Sequence, residues 1–364
     1  MDKFSSRHFL AIILAVSIVS LKTYPTIYIQ NGMRDSWIAM IIASVIILFF
    51  FMILINICKK NNIYTLSQIY TTALGNTMGK FFIWLLIITM VLTLVESSSV
   101  EANAMHTNLM LRSPVWYLLL FFIISCVYVV RKDIVAIVIV VIILVGLMFL
   151  AGITLAILTT KYKKAQYLFP IFANGINIKF FLCILQILGL YGCVTISLPY
   201  LSRIQDTTKI MKHTFIGIVL LIQMEIVGVA GLIMTFTPER LVNLIYPKIL
   251  ETQLISYVRF IEYGELYVLL QVVAGWMLKY IVTFYALLIL LKELNLKRKA
   301  LINVTYLISL VVFIMANLAA YDTFFMFTLL NYYSYICLIN FVVIPFFIFL
   351  RYSMVTRKLS KNVK

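Results

Sequence analysis

The sequence predicts an all-α polytopic membrane protein with ten transmembrane helices, and three observations predict it. Hydrophobic residues make up 63% of the 364 residues and charged residues only 12%, too little charge for a soluble domain of this length. The apolar residues fall in ten continuous runs, all but one long enough for the roughly 20 residues that a helix needs to cross a bilayer. Basic residues lie mostly to one side of those runs. Transmembrane strands would show a weak alternation over about ten residues instead, and in lipid the backbone must satisfy its own polar groups.

Span one, 8–33, follows Lys3 and Arg7, which resemble the basic region of a signal peptide. Its apolar run continues to Pro25 with no A-x-A-like cleavage site after it, so the span is expected to be retained. Ser20-Leu21-Lys22-Thr23-Tyr24-Pro25 interrupts it. Proline removes a helical hydrogen bond and displaces the residue before it from helical geometry. Span two, 36–58, leads into the main loop of the termini side, 59–79, where Gly75 and Gly79 lie outside any span and so form no dimerisation motif. Span three, 80–105, carries Glu96 and Glu101; span four, 114–130, is the shortest; span five covers 133–158.

Span six, 179–201, holds a second interruption, Gly189-Leu190-Tyr191-Gly192-Cys193, ahead of Thr195, Ser197 and Pro199; paired glycines weaken a helix. Span seven, 213–236, carries Glu225. The longest segment between spans follows, 237–264, where the spacing of Ile249, Leu250, Leu254, Val258 and Ile261 predicts a short amphipathic helix over about 248–264 on the outer face. Span eight, 265–291, carries Lys279 near its middle, and spans nine and ten cover 300–321 and 332–352. The tail, 351–364, is expected to be solvated or lipid-facing. No soluble domain interrupts the series, so residues 1–364 are expected to form a single transmembrane domain.

Ten spans put both termini on one side. Of the 30 Lys and Arg residues, 19 fall on that side, nine on the other, and two, Lys22 and Lys279, within spans. The positive-inside rule makes the termini side cytoplasmic, although Lys161, Lys163, Lys164 and Lys179 lie on the opposite side. The net charge of +17 is then a topology signal and a contact for anionic membrane lipid. Nucleic acid is excluded as a partner because no basic patch with interleaved aromatics lies outside the spans. Cys58, Cys126, Cys183, Cys193 and Cys337 all lie in apolar spans without a C-x-x-C pair, as free buried thiols do. The chain has no G-x-S-x-G, H-E-x-x-H or Walker A motif, and His8, His106 and His213 sit at different span ends. No enzyme activity, metal or cofactor is expected. Asn303-Val304-Thr305 fits a glycosylation acceptor by chance, on the side expected to be cytoplasmic.

The interruptions in spans one and six occupy corresponding positions of two five-helix halves, the pattern of transporters built from inverted repeats. Freed N–H groups there can bind a carboxylate and freed carbonyls an amine or cation; an ordinary proline kink with glycines for close packing is the other reading. The candidate lining is Ser20, Thr23 and Tyr24 in span one, Gly189, Tyr191, Gly192 and Thr195 in span six, and Trp276, Tyr280 and Thr283 in span eight. Five ionisable residues, Lys22, Glu96, Glu101, Glu225 and Lys279, lie within spans and must face the protein interior or water. Lys279, the deepest, either contacts a ligand, takes the place of a coupling ion, or forms a structural ion pair with Glu96 or Glu101. Those two glutamates point about 140° apart on a helix, so they share no partner and form no acid–base dyad.

The chain resembles the B subunits of spore germinant receptors, relatives of the amino acid–polyamine–organocation transporters. The resemblance runs over essentially the whole length and rests on the order of several short pieces. They are Asp35-Ser36-Trp37, Thr65-Leu66-Ser67-Gln68 with Gly79-Lys80, Arg112-Ser113-Pro114-Val115-Trp116, Phe169 to Gly175, and Tyr246-Pro247. The most specific is Tyr257 to Glu265, followed by Gly275-Trp276 and Lys279. The resemblance implies a transporter-like receptor for a small germinant such as an amino acid, in the spore inner membrane with an A and a C subunit. It implies a ligand pocket between spans one, three, six and eight. Where many relatives have a glutamate after the glycine of span six, this chain has Cys193, so a role of that glutamate does not carry over.

Overall fold

The structure, a computed structural model, describes residues 3–172, 175–257, 261–262 and 265–362. Each predicted span has a helical counterpart. Among the described residues nine helices are long and apolar enough to cross a membrane, and span four, Val115–Val130, is a shorter apolar helix. At about 1.5 Å per residue it is roughly 24 Å long against a hydrocarbon core of about 30 Å. Phe49, Leu150, Leu318 and Phe347 are each more than half exposed on the outside of the bundle, as an apolar solvent requires.

Span one runs as Ser6–Ser17, Ser20–Thr23 and Thr26–Gly32. The interruption flanks Ser20–Thr23 on both sides, and Tyr24 before Pro25 leaves helical geometry at φ −127°, ψ 58°. Span two, Ser36–Asn61, ends on Asn62 in the left-handed conformation. The segment 59–79, read as a loop, contains a helix, Leu66–Leu74. It buries Leu66, Ile69, Tyr70 and Ala73 and packs against span three, Asn76–Asn108, and the last helix. Gly79 permits this contact, since a Cβ there would stand 2.7 Å from Thr71 Cα.

Span five is Ile134–Leu158, span seven Ile210–Phe236, span eight Glu265–Glu293 and span nine Arg298–Ala320. Span six is α-helical over Ile178–Tyr191 and continues as a 3₁₀ helix over Gly192–Arg203. Twelve residues is far beyond the usual three or four for this geometry. Gly192 to Leu201 are all buried, so tertiary packing holds it.

Two boundaries are corrected. The amphipathic helix expected over 248–264 is helical only over Pro247–Gln253, after which Ser256–Tyr257 pairs antiparallel with Ile261–Glu262. Tyr257 and Ile261 favour extended backbone, and apolar spacing alone did not separate the two states. Residues 258–260 and 263–264 lie outside the described residues, as do 173–174 of the Phe169 to Gly175 piece. Span ten begins nine residues earlier than 332, at Thr323, where the Asp322 carboxylate accepts the Phe324 N–H at 2.8 Å. It runs as Thr323–Cys337, a π-helical turn Leu338–Val343, and Ile344–Asn362, taking in most of the tail.

Span eight is central. It packs on spans one, three, four and five and on the 3₁₀ part of span six. Span one packs on spans six and seven, span nine on spans three and four, and span ten on span six. Near the N-terminus Phe4 bonds to the span six–seven connection as an isolated bridge, its N–H to the Arg203 carbonyl at 3.1 Å and its carbonyl to the Gln205 N–H at 2.9 Å.

Candidate functional site

The interruption of span one brings short polar side chains to the middle of span three and to span eight. Lys279 Nζ lies 2.5 Å from Glu96 Oε2 and donates to Ser20 Oγ at 2.6 Å. Ser20 in turn donates to Glu96 Oε1 at 3.0 Å, and the Tyr24 hydroxyl donates to the same oxygen. Both carboxylate oxygens are therefore satisfied, as a buried charge must be. Lys279 is fully buried. Aromatic faces close the site: Tyr24 stacks on Trp276 at 6.1 Å and 13°, and Lys279 Nζ lies 5.4 Å from the Trp276 ring and 5.9 Å from that of Tyr333.

Tyr333, in span ten, was not legible as a site residue. Its hydroxyl donates to Thr93 Oγ1 at 2.9 Å, and Cys193 Sγ is 3.8 Å from it. Only its depth in an aromatic-rich span marked it, and that signal is common to many residues here. A cavity of about 210 Å³ adjoins the site, lined by Glu96, Ser99 and Tyr333 among apolar side chains of spans three, nine and ten.

The remaining candidates separate. Gly189 and Gly192 face span ten, not span one: a Cβ on Gly189 would collide with the Ser334 carbonyl oxygen, and one on Gly192 would stand 2.7 Å from Val342 Cγ2. Thr195 donates to the Phe341 carbonyl at 2.6 Å, again across to span ten. The Tyr191 hydroxyl is 2.9 Å from Ser44 Oγ of span two. Tyr280 packs edge-on against Phe122 of span four. The buried Thr283 hydroxyl has no hydrogen-bond partner among the described residues.

Of the other charges, Lys22 Nζ is 3.5 Å from Glu225 Oε1, between span one and span seven. Glu101 is buried, and its Oε2 has no hydrogen-bond partner among the described residues. Thr23 bonds its own helix, donating to the Val19 carbonyl at 2.8 Å, and lines a narrow recess with Lys22, Lys248 and Gln271. Lys22, Met224, Lys248 and Gln271 also line a cavity of about 300 Å³ that includes Lys163, Gln223 and Gly228. In it Lys248 pairs with Glu251 at 2.6 Å, while burial lowers the Lys163 ammonium from its ordinary value, against the pull of Glu251.

With this geometry in place, the chain can be set beside known proteins. The family model of spore germination proteins matches residues 4–325, and the chain belongs to that family. No curated protein matches it. It is a germination-related, transporter-like protein that passes the membrane several times.

Proposed function

We propose that this chain is the membrane subunit of a spore germinant receptor that senses a small zwitterionic germinant, an amino acid, and triggers germination without a catalytic step. In this reading residues 1–364 form one transporter-like domain of two inverted five-helix repeats. It sits in the spore inner membrane, termini on the core side, and works with receptor A and C subunits.

The buried Lys279–Glu96 pair, held by Ser20 and Tyr24 of the interrupted span one, carries the reading. An amino acid presents an ammonium and a carboxylate, the partners that Glu96 and Lys279 each require. A ligand that enters between them replaces one internal pair by two external ones and must displace Ser20 and Tyr24. Ligand affinity is thereby tied to the position of span one, which is the differential binding a two-state receptor needs.

Glu96→Gln removes the charge that would take the ammonium. Truncating one side of a desolvated charge pair costs about 2–5 kcal/mol, so radiolabelled amino acid binding to purified protein should weaken at least about thirtyfold. Spores carrying the variant should need correspondingly more germinant. Normal dose dependence at normal protein level would sink the reading. The cavity beside Thr23 also favours a second function, an amino acid permease with ion coupling. Accumulation of labelled amino acid in vesicles containing only this chain would establish that in its place.

A further inference from the structure

A second polar feature lies well away from Glu96, where the connections after spans four, six and eight meet the start of span nine. A pocket of about 330 Å³ is lined there by Arg131, Lys132, Arg203 and Lys292, with Tyr285, Thr305 and Tyr306. Among the described residues no acidic side chain lines it. Among the described residues none of the four cations has a carboxylate within 4.0 Å: the ion pairs all lie elsewhere. Of the two carboxylates nearest in sequence, Asp133 stands at the N-cap position of span five without a side-chain cap bond, and Glu293 accepts the backbone N–H of Ser67 at 3.0 Å while lying near enough to Arg203 to interact with it. Arg203 Nε is buried and has no hydrogen-bond partner among the described residues.

Four cations converge on one concavity, with Glu293 beside Arg203 as a single opposing charge; the remaining repulsion is removed by a bound anion. The rim says which kind. Ile302 and Tyr306 of span nine are 45% and 49% exposed, and Tyr128 of span four is 64% exposed. Arg131 lies over the Tyr306 ring at 5.5 Å and Lys132 over Tyr128 at 4.5 Å. A basic pocket that opens between exposed apolar and tyrosine side chains at a helix end matches an anionic headgroup with its acyl chains alongside.

We propose that this pocket binds the phosphate of an anionic membrane lipid, clamping the ends of spans four, six, eight and nine. Bound lipid restrains the loops that follow spans six and eight, the two spans that meet at Lys279 and the 3₁₀ segment. The test titrates full-length protein in mild detergent with phosphatidylglycerol, phosphatidylcholine and inorganic phosphate. Retained lipid is read by native mass spectrometry and the unfolding midpoint by heating. Phosphatidylglycerol should bind saturably. With about fivefold per cation, Arg131→Gln with Lys292→Gln should weaken it about thirtyfold. Lys60→Gln with Lys80→Gln, two exposed cations elsewhere, should leave it unchanged. Equal losses in both double variants, or equal retention of phosphatidylcholine, would overturn the pocket. A rise in midpoint with inorganic phosphate as large as with lipid would overturn the lipid as its source.

Discussion

Replacing Lys279 by Met removes the ammonium and leaves the Glu96 carboxylate in a buried site with only Ser20 and Tyr24 as donors. Breaking a buried pair from one side costs about 3–5 kcal/mol, because an uncompensated charge stays behind. A chain of 364 residues unfolds with an entropy of roughly 0.8 kcal/mol/K on the usual per-residue scale. The unfolding midpoint should therefore fall by about 4–7 °C. Adding Glu96→Gln removes the stranded charge while the amide oxygen still accepts from Tyr24. The double variant should regain at least about 2 kcal/mol of that loss, a coupling well above the scatter of independent sites. Full-length protein in detergent, followed by tryptophan fluorescence with Trp276 beside the site, provides the assay. A single-variant cost below about 1 kcal/mol, together with an additive double variant, would refute the reasoning, since it would mean that water rather than Lys279 neutralises Glu96.

Three further outcomes follow from the same contacts. Tyr24→Phe keeps the stack on Trp276 and removes one hydrogen bond to a charged acceptor, so it should cost about 1.5–3 kcal/mol in the same unfolding assay. Lys22→Met should cost less than Lys279→Met, because the Lys22–Glu225 contact is looser, 3.5 Å against 2.5 Å, and the Lys22 side chain is 19% exposed against none for Lys279. Gly189→Ala should lower the folded yield in a membrane extract more than Gly192→Ala. The first new methyl meets the backbone of Ser334, while the second meets the side chains of Val342 and Phe341, which can give way.

The legible parts of this fold are those in which one residue type forces one geometry. Long apolar runs place the spans, and Pro25 places the interruption of span one within a residue of where Tyr24 leaves the helix. What was illegible depended on a neighbour in space. Gly189 and Gly192 read equally as a ligand-facing break or as room for another helix, and only the approach of span ten decides it. Tyr333 is one aromatic among many until Thr93 and Lys279 are seen beside it. Hydropathy places the start of span ten late because Tyr321 to Asn331 mixes polar with aromatic residues, which masks the cap signal of Asp322.

The partner of Lys279 shows where the boundary lies. Helical periodicity alone sets Glu96 and Glu101 about 140° apart, so only one of them could meet a lysine on span eight. Which one depends on the rotation of span three about its axis, a quantity absent from its own sequence. Span ten supplies it. Asn340 Nδ2 donates to Thr89 Oγ1 at 2.8 Å, and the Tyr333 hydroxyl to Thr93 at 2.9 Å. Glu96 is seven residues from Thr89, about 20° away around the helix, so the contacts that seat the threonines against span ten also carry Glu96 to the site. Glu101 is turned out of it and is buried, with its Oε2 unpartnered among the described residues. Loosening the Asn340 and Tyr333 contacts should therefore disturb the Lys279 pair without touching either charge. Asn340→Leu with Tyr333→Phe should reduce the coupling between Lys279→Met and Glu96→Gln; a coupling unchanged in that background would show that span three holds its own rotation.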